Sequence, residues 1–380
     1  MSKKIKILFF HNSLPEYRIG WFKSLNELSE IKFVITNESL AVKNYGYKIK
    51  SDELRDLNLH FITKKYSVRE LKTVLNEIPK FDFVELPPID SFYDYIISFL
   101  ILFICRKNDI KIGYFWEKWE APKKYQSLRR KIKNYILRIV PRSIYSKVDI
   151  IFSPGRKNKD YFLDNGVNVD KIKFIPNSSE VRKCRPKDIK AIYNIPKSNK
   201  LILFLGRVLE QKGVDILIEA YLRLDKNLMD STTLLIAGDG EFLEYCKEKY
   251  QNKNIVYTGR VNPDERYNFY SQCDIFVYPV THRFGWVDVW GLTLNEALQF
   301  DKLIVATDAV GSAYELIDEN INGYISKAGD IDDLSEKIKK SLYFKDRKCL
   351  LKKSSELKQI YNYRNMGIEY IKYINKLIEK

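Results

Sequence analysis

The feature that most limits what this chain can fold into is a rhythm that runs through it twice. Short β-branched or aromatic runs alternate with longer amphipathic stretches. In the first half, Ile5–Phe10, Ile31–Thr36, Leu59–Thr63, Phe81–Glu85, Lys111–Trp116, Asp149–Ser153 and Lys173–Pro176 read as strands, and stretches such as Tyr17–Glu30 and Val68–Ile78 as the helices between them. The pattern pauses at Asn177-Ser-Ser, crosses a Lys-rich stretch to Ile195-Pro196, and resumes. Leu201–Leu205, Thr233–Ala237, Ile255–Thr258, Asp274–Tyr278, Leu303–Ala306 and Tyr324–Ile325 form the second series. Strands separated by helices specify a parallel, doubly wound α/β sheet. The 380 residues suit two such domains. We expect them over 1–180 and 181–364, with a cleft between the carboxyl ends of their strands, where ligands of open α/β sheets bind. The stretch from about 365 to 380 reads as a terminal helix.

The charge is uneven. The chain has 65 Lys+Arg against 49 Asp+Glu, a net +16. Residues 1–180 hold 33 basic and 21 acidic side chains, and residues 181–380 hold 32 and 28, so the first half carries most of the excess. Within it, Pro122–Lys147 has nine basic and no acidic residues, with Ile132, Tyr135, Ile136 and Ile139 at helical spacing among Arg129, Arg130, Lys133 and Arg138. This is the form of a basic amphipathic helix suited to an anionic membrane surface; a solvated helix packed on the sheet has the same composition. At 45% apolar residues the chain is too hydrophobic for a disordered polycation. It has no zinc-finger, RRM or KH pattern, which argues against a nucleic-acid partner. The five Cys lie far apart, which suggests neither disulfides nor zinc, and the N-terminus shows no signal-peptide pattern, so a cytoplasmic setting is expected. The most apolar run, Tyr95–Cys105, is 11 residues long, short of the ~20 that cross a bilayer, and reads as a buried or interfacial helix.

Chemistry concentrates in the second half. Strand Leu201–Leu205 runs into Gly206-Arg207 and, five residues on, Lys212-Gly213; two cations there can converge on one polyphosphate, or simply bracket a surface loop. Gly238 in AGDG and Gly259-Arg260-Val261 end the next strands, which suggests backbone lining a crevice. No GxGxxG follows a strand, and no P-loop is present. In Arg283–Phe300, Asp288 precedes Trp290-Gly291-Leu292-Thr293 and a helix that carries Glu296. The free amides at that helix start suit phosphate, and the two carboxylates suit sugar hydroxyls. Together they fit a nucleotide sugar.

GR-x4-KG, AGDG, TGR, D-x7-E and VGSAYELI-x4-NGY, in this order over about 200 to 326, resemble the retaining glycosyltransferases of family 4. The resemblance implies the GT-B fold of two facing Rossmann-like domains, and a terminal helix that crosses back onto the first. It implies Arg207, Lys212 and Asp288 in catalysis: the two cations on the donor diphosphate, Asp288 on the hydroxyls of the transferred sugar. Gly206, Gly238, Arg260, Val261, Gly291, Leu292, Thr293, Glu296 and Glu315 would bind the donor, Glu296 through the ribose. More loosely, His11, Tyr17, Arg18, Trp116 and Glu117 would line the acceptor side; His11 could instead only cap its loop. No cofactor or metal is implied, since Asp330-Ile-Asp332 opens a helix and reads as a cap.

Three departures stand out: Asp288 replaces the family's usual Glu, His11–Pro15 lacks the Gly pair of many members, and Phe115–Trp119 carries Glu117 where many have His. The expected activity is transfer of a hexosyl group from a nucleotide sugar, UDP- before GDP-, to a glycan or lipid-linked acceptor in bacterial or archaeal surface polysaccharide or glycoconjugate synthesis. The enzyme would sit peripherally on the inner face of the cell membrane. A sugar-nucleotide epimerase of similar architecture is the enzymatic alternative, and a basic nucleic-acid-binding protein the non-enzymatic one.

Overall fold

The computed structural model describes residues 4–36, 51–62, 68–89, 91–181 and 184–379, with the side chains of 51, 68 and 133–140 outside the description. The chain divides into two compact units. The first comprises Met1–Lys118, Lys131–Ser178 and Asn362–Lys380; the second comprises Trp119–Arg130 and Ser179–Tyr361.

In the first unit β1 (Lys6–His11), β2 (Glu30–Ile35), β3 (Leu59–Phe61), β4 (Phe83–Glu85), β5 (Lys111–Phe115), β6 (Ile150–Ser153) and β7 (Ile172–Phe174) form one parallel sheet. Its order is β3-β2-β1-β4-β5-β6-β7. Helices of eight residues or more are numbered along the chain; here they are α1 (Glu16–Leu28), α2 (Val68–Glu77), α3 (Phe92–Lys107), α4 (Leu128–Tyr145) and α5 (Arg156–Asp164). Both faces of the sheet are covered, so its strands are apolar on both sides. The pleat sends Leu8 and Phe10 of β1 to a core with Ile101, Tyr114 and Tyr145, and Ile7 and Phe9 to a core with Trp21, Phe22 and Phe152.

In the second unit β8 (Lys200–Leu205), β9 (Thr232–Ala237), β10 (Ile255–Gly259), β11 (Ile275–Tyr278), β12 (Leu303–Thr307) and β13 (Gly323–Ser326) form a parallel sheet of order β10-β9-β8-β11-β12-β13. Its longer helices are α6 (Val214–Leu222), α7 (Leu292–Gln299), α8 (Ile331–Tyr343) and α9 (Arg347–Ile360). In each sheet the order reverses beside the first strand, β1 or β8, the switch point at which doubly wound folds bind ligands. All thirteen predicted strands form, with no end shifted by more than two residues.

The terminal helix α10 (Tyr363–Ile378) belongs to the first unit, where it packs on α1 and buries Met366, Tyr370 and Ile374 in the second of the two cores. Asn362 caps it, accepting from the Asn365 amide at 2.8 Å, and Tyr363 Oη donates to the Tyr17 carbonyl at 2.9 Å. Residues 119–130 group with the second unit. There the Tyr125 ring stacks on His282 at 4.5 Å, and Arg130 donates to the Phe284 carbonyl. The basic stretch Pro122–Lys147 is therefore shared between the units. Lys133, Tyr135, Ile136, Arg138 and Ile139, on which much of its amphipathic reading rests, lie outside the described side chains. Arg129, Lys131 and Ile132 are exposed.

Candidate active site

In the second unit the strand-end loops converge on one buried ion pair. The turn after β8 ends at Glu210–Lys212, and Gly213, in a left-handed conformation (φ 70°), starts α6. This carries Lys212 inward, where its residue is 7% exposed. Its ammonium lies 2.7 Å from Asp288 Oδ2, donates to Tyr278 Oη, and sits over the rings of Trp286 at 4.6 Å and Tyr278 at 4.8 Å. Tyr278 Oη in turn donates to Asp288 Oδ2 at 2.6 Å. Burial pushes the Asp288 carboxyl upward, but the charge of Lys212 and hydrogen bonds from Lys212, Tyr278 and the Trp290 backbone outweigh it and hold the carboxyl below its ordinary range. Burial, and then the adjacent carboxylate, push the Tyr278 hydroxyl well above its ordinary value, so the phenol stays protonated and can donate.

Asp288 is fixed through its backbone as well. Its amide donates to Ala309 O and its carbonyl accepts from Gly311 N, both at 2.9 Å, which ties the segment before α7 to the loop after β12. Upstream, Arg283 holds Asp215 at the start of α6 with two hydrogen bonds of 2.9 and 2.7 Å.

α7 then begins at Gly291 (φ 83°), the one residue type that fits: a Cβ there would lie 2.8 Å from Val310 Cγ1 and 3.3 Å from Tyr278 Cε1. The start of α7, with Leu292 and Thr293 in its first turn, thus abuts the Tyr278 ring. Glu296 lies one turn inside, nearly buried, with Oε1 3.0 Å from Arg266 Nε and Oε2 accepting from Tyr270 Oη at 2.9 Å. Arg266 and Tyr270 are functional candidates the sequence did not single out. They come from a short helix, Arg266–Gln272, whose only sequence signal was its aromatic content.

The remaining donor-side candidates differ in setting. Arg207 is exposed, and its positive charge acts on Tyr278. Arg260 is exposed, while Val261 and Glu315 are half-buried. Gly238 has a structural reason to be glycine: a Cβ there would fall 1.8 Å from the Gly206 carbonyl oxygen, so the loops after β8 and β9 touch backbone to backbone. Asp330 caps α8, its Oδ1 accepting from Asp333 N at 3.0 Å.

In the first unit a second polar cluster forms at the carboxyl ends of β1, β5 and β7. Arg18, 5% exposed, donates through Nη1 to Asn177 Oδ1 at 3.0 Å and through Nη2 to Glu117 Oε1, which also accepts from Asn177 Nδ2 at 2.8 Å. The guanidinium lies over Tyr17, Trp21 and Phe115. Burial opposes its charge, but Glu117 overcomes that and keeps Arg18 firmly protonated. Asn158 Nδ2 holds the strand-end loop by donating to the carbonyls of Trp116 and Lys118, both at 2.9 Å. Of the sequence candidates, Arg18 and Glu117 meet directly; Asn177 joins them, and Asn158 supports them without having been singled out. His11 is buried, and desolvation followed by the charge of Arg18 lowers its pKa to about 3, so the ring is neutral at physiological pH. Its Nδ1 lies 2.6 Å from the Ser13 carbonyl, which closes the loop after β1.

A buried cation–carboxylate–phenol cluster thus stands at the start of a helix on a parallel sheet of this order, a set of groups with the chemistry to receive an anionic, hydroxyl-rich ligand. Residues 186–357, most of the second unit, match the family model for glycosyl transferases group 1, and this match together with the names of its relatives supports a transferase enzyme. The chain is 23% identical over 347 residues to MJ1069, an uncharacterized glycosyltransferase of Methanocaldococcus jannaschii, covering 83% of this chain and 87% of that one. It is 25% identical to the alpha-monoglucosyldiacylglycerol synthase of Streptococcus pneumoniae, over 58% of this chain and 52% of that protein. Among solved structures, Anabaena Alr3699/HepE in complex with UDP superposes with a TM-score of 0.74 at 14% identity, over 98% of this chain and all (100%) of the other, a likeness that concerns the fold.

Proposed function

We propose that this glycosyltransferase moves a hexose, with retention of configuration, from a UDP-sugar to a hydroxyl of a lipid-linked glycan. The observation that carries the reading is the Lys212–Tyr278–Asp288 cluster at the start of α7. Lys212 and the exposed Arg207 supply positive charge for a diphosphate, the α7 amides supply donors, and Asp288, held ionised by its neighbours, accepts from sugar hydroxyls. The same cations offset charge that builds on the departing nucleotide, so transfer needs no metal or cofactor. Glu296, oriented by Arg266 and Tyr270, accepts from the ribose. UDP is favoured because solved structures of the same fold hold UDP and UDP-glucose.

In the first unit Arg18, Glu117 and Asn177, with Tyr17 and Trp116, receive the acceptor. Retention follows when the acceptor hydroxyl attacks the face from which the diphosphate leaves and a donor phosphate oxygen takes its proton. One of the relatives named above is an alpha-monoglucosyldiacylglycerol synthase, which supports a lipid-linked acceptor. Pro122–Lys147 is then the electrostatic contact with the inner face of an anionic membrane, and no nucleic acid is involved. Screening UDP, GDP and their sugars by thermal shift, then testing lipid-linked acceptors with the stabilising donor, examines this reading. Stabilisation by none of them, or turnover of the donor sugar to its epimer without acceptor, overturns it.

A further inference from the structure

Helix α3 (Phe92–Lys107) is half core and half something else. Ile97, Ile101, Leu102 and Cys105 are buried against the sheet. The outward side of such a helix is ordinarily polar. Here it carries Phe92, Ile96, Phe99, Leu100 and Phe103, exposed by 74, 42, 45, 41 and 66%. At 100° per residue these five positions fall within an arc of about 100°, a single continuous stripe. Arg106 and Lys107 close the stripe at its carboxyl end. Lys147, from the turn after α4, places its ammonium 4.8 Å above the Phe99 ring, and Arg106 donates to the Lys147 carbonyl. α4 runs beside α3, as the 3.2 Å contact of Tyr95 Oη with Ser143 Oγ shows. Asp94, the one acidic residue of the helix, projects from the opposite side, where it bonds Ser91.

We propose that α3 docks on an anionic lipid bilayer, lying in the plane of the interface with this stripe among the acyl-chain ends and Arg106, Lys107 and Lys147 at the headgroups. Large aromatics flanked by cations are the composition of an interfacial helix. At 16 residues α3 is about 24 Å long, too short to span, and among the described residues no helix is long and apolar enough to cross a membrane. A second copy of the chain is a poor occupant, because a two-fold contact along the stripe would bring the cations of one copy toward those of the other on a protein of net charge +16. The inference rests on the reading that the acceptor is membrane-held, and adds apolar insertion to the electrostatic contact through Pro122–Lys147.

The test is co-sedimentation of the full chain with phosphatidylglycerol–phosphatidylcholine vesicles and with pure phosphatidylcholine vesicles. Wild type is expected to pellet with the former and to keep a residual association at raised salt. Phe99→Ser/Phe103→Ser, at two exposed positions, is expected to lower the partition coefficient about tenfold or more. Its UDP-induced thermal shift and its transfer to a water-soluble acceptor should stay at wild-type values. Those last two measurements report the transferase reading, so its failure and the failure of the docking proposal are separable. The proposal is overturned if wild type stays in the supernatant, if the double variant pellets like wild type, or if wild type forms a dimer that the variant does not.

Discussion

Glu85 ends β4 inside the first unit, 1% exposed, with Oε2 accepting from Tyr370 Oη of α10 at 2.7 Å. Burial raises its pKa from 4.5 to about 8, against smaller opposing effects of the Tyr370 hydroxyl and the Phe115 backbone. The folded protein thus keeps a proton that the unfolded chain releases, and its stability must fall as pH rises between those two values. The contribution is fully present below the unfolded pKa and exhausted above the folded one. At about 1.4 kcal/mol per pH unit the whole window is worth roughly 5 kcal/mol, and the step from pH 5.5 to 8 about 3 kcal/mol. Glu85→Gln keeps the shape and removes the titration. Thermal denaturation of both proteins across this range, followed on the first unit's transition, should show wild type losing about 6 to 12 °C more than the variant, at about 2 to 4 °C per kcal/mol for a unit of this size. Comparing the two pH profiles cancels every other titrating group and any fixed cost of the amide. Tyr370→Phe, which removes a hydrogen bond to the ionised form, should extend the decline to higher pH. Parallel profiles for wild type and Glu85→Gln would refute the reasoning.

Other expectations concern the site. Lys212→Met should lower kcat/KM by about 10²-fold or more and also lower the melting temperature, because it leaves the Asp288 carboxylate buried without its cation; adding Asp288→Asn should recover the melting temperature but not the activity in initial-rate assays. Asn158→Ala releases the carbonyls of Trp116 and Lys118 and should cost about 1–3 kcal/mol, raising the acceptor KM while the UDP thermal shift is unchanged. Tyr270→Phe removes a hydrogen-bond donor to Glu296 and should raise the donor KM about 2- to 10-fold, with kcat preserved. Transfer measured after exhaustive EDTA treatment should match the untreated rate; loss that is restored by a divalent cation would overturn the assignment of charge offset to Arg207 and Lys212.

The fold was readable because local and global signals agree. Parallel strands buried on both faces are runs such as ILFF in β1 and LILFL in β8, and the amphipathic stretches between them can only be crossovers. The candidate donor side was legible where chemistry is local: Lys212 six residues after a strand-end glycine, and Asp288 and Glu296 on either side of a helix start. What stayed hidden was pairing across long separations. Tyr278 reads as the last apolar residue of β11, and nothing in the sequence says that its hydroxyl meets Lys212, 66 residues earlier, and Asp288, ten residues later. Asn158 and Arg266 are ordinary polar residues of helices until the fold turns them inward. Glycines were the reverse case. Gly238 reads as room for a ligand, whereas its geometry accommodates the neighbouring backbone at Gly206.

Lys212 and Asp288, which the resemblance gives separate duties, are one buried pair here, and that changes how a donor must engage them. A diphosphate approaching Lys212 meets a cation already neutralised by Asp288, so the pair as such offers no net attraction. On the proposed reading the first attraction would come from exposed Arg207 and the amides at the start of α7, and Lys212 would become available only as its ammonium is shared between carboxylate and phosphate. Tyr278 makes that sharing feasible. Its hydroxyl, 2.6 Å from Asp288 Oδ2, keeps one strong hydrogen bond on the carboxylate when the ammonium shifts. At 288 an Asp reaches both Lys212 and Tyr278 at hydrogen-bond distance, so a Glu, one methylene longer, would keep both contacts only with a different side-chain conformation or a shift of its partners.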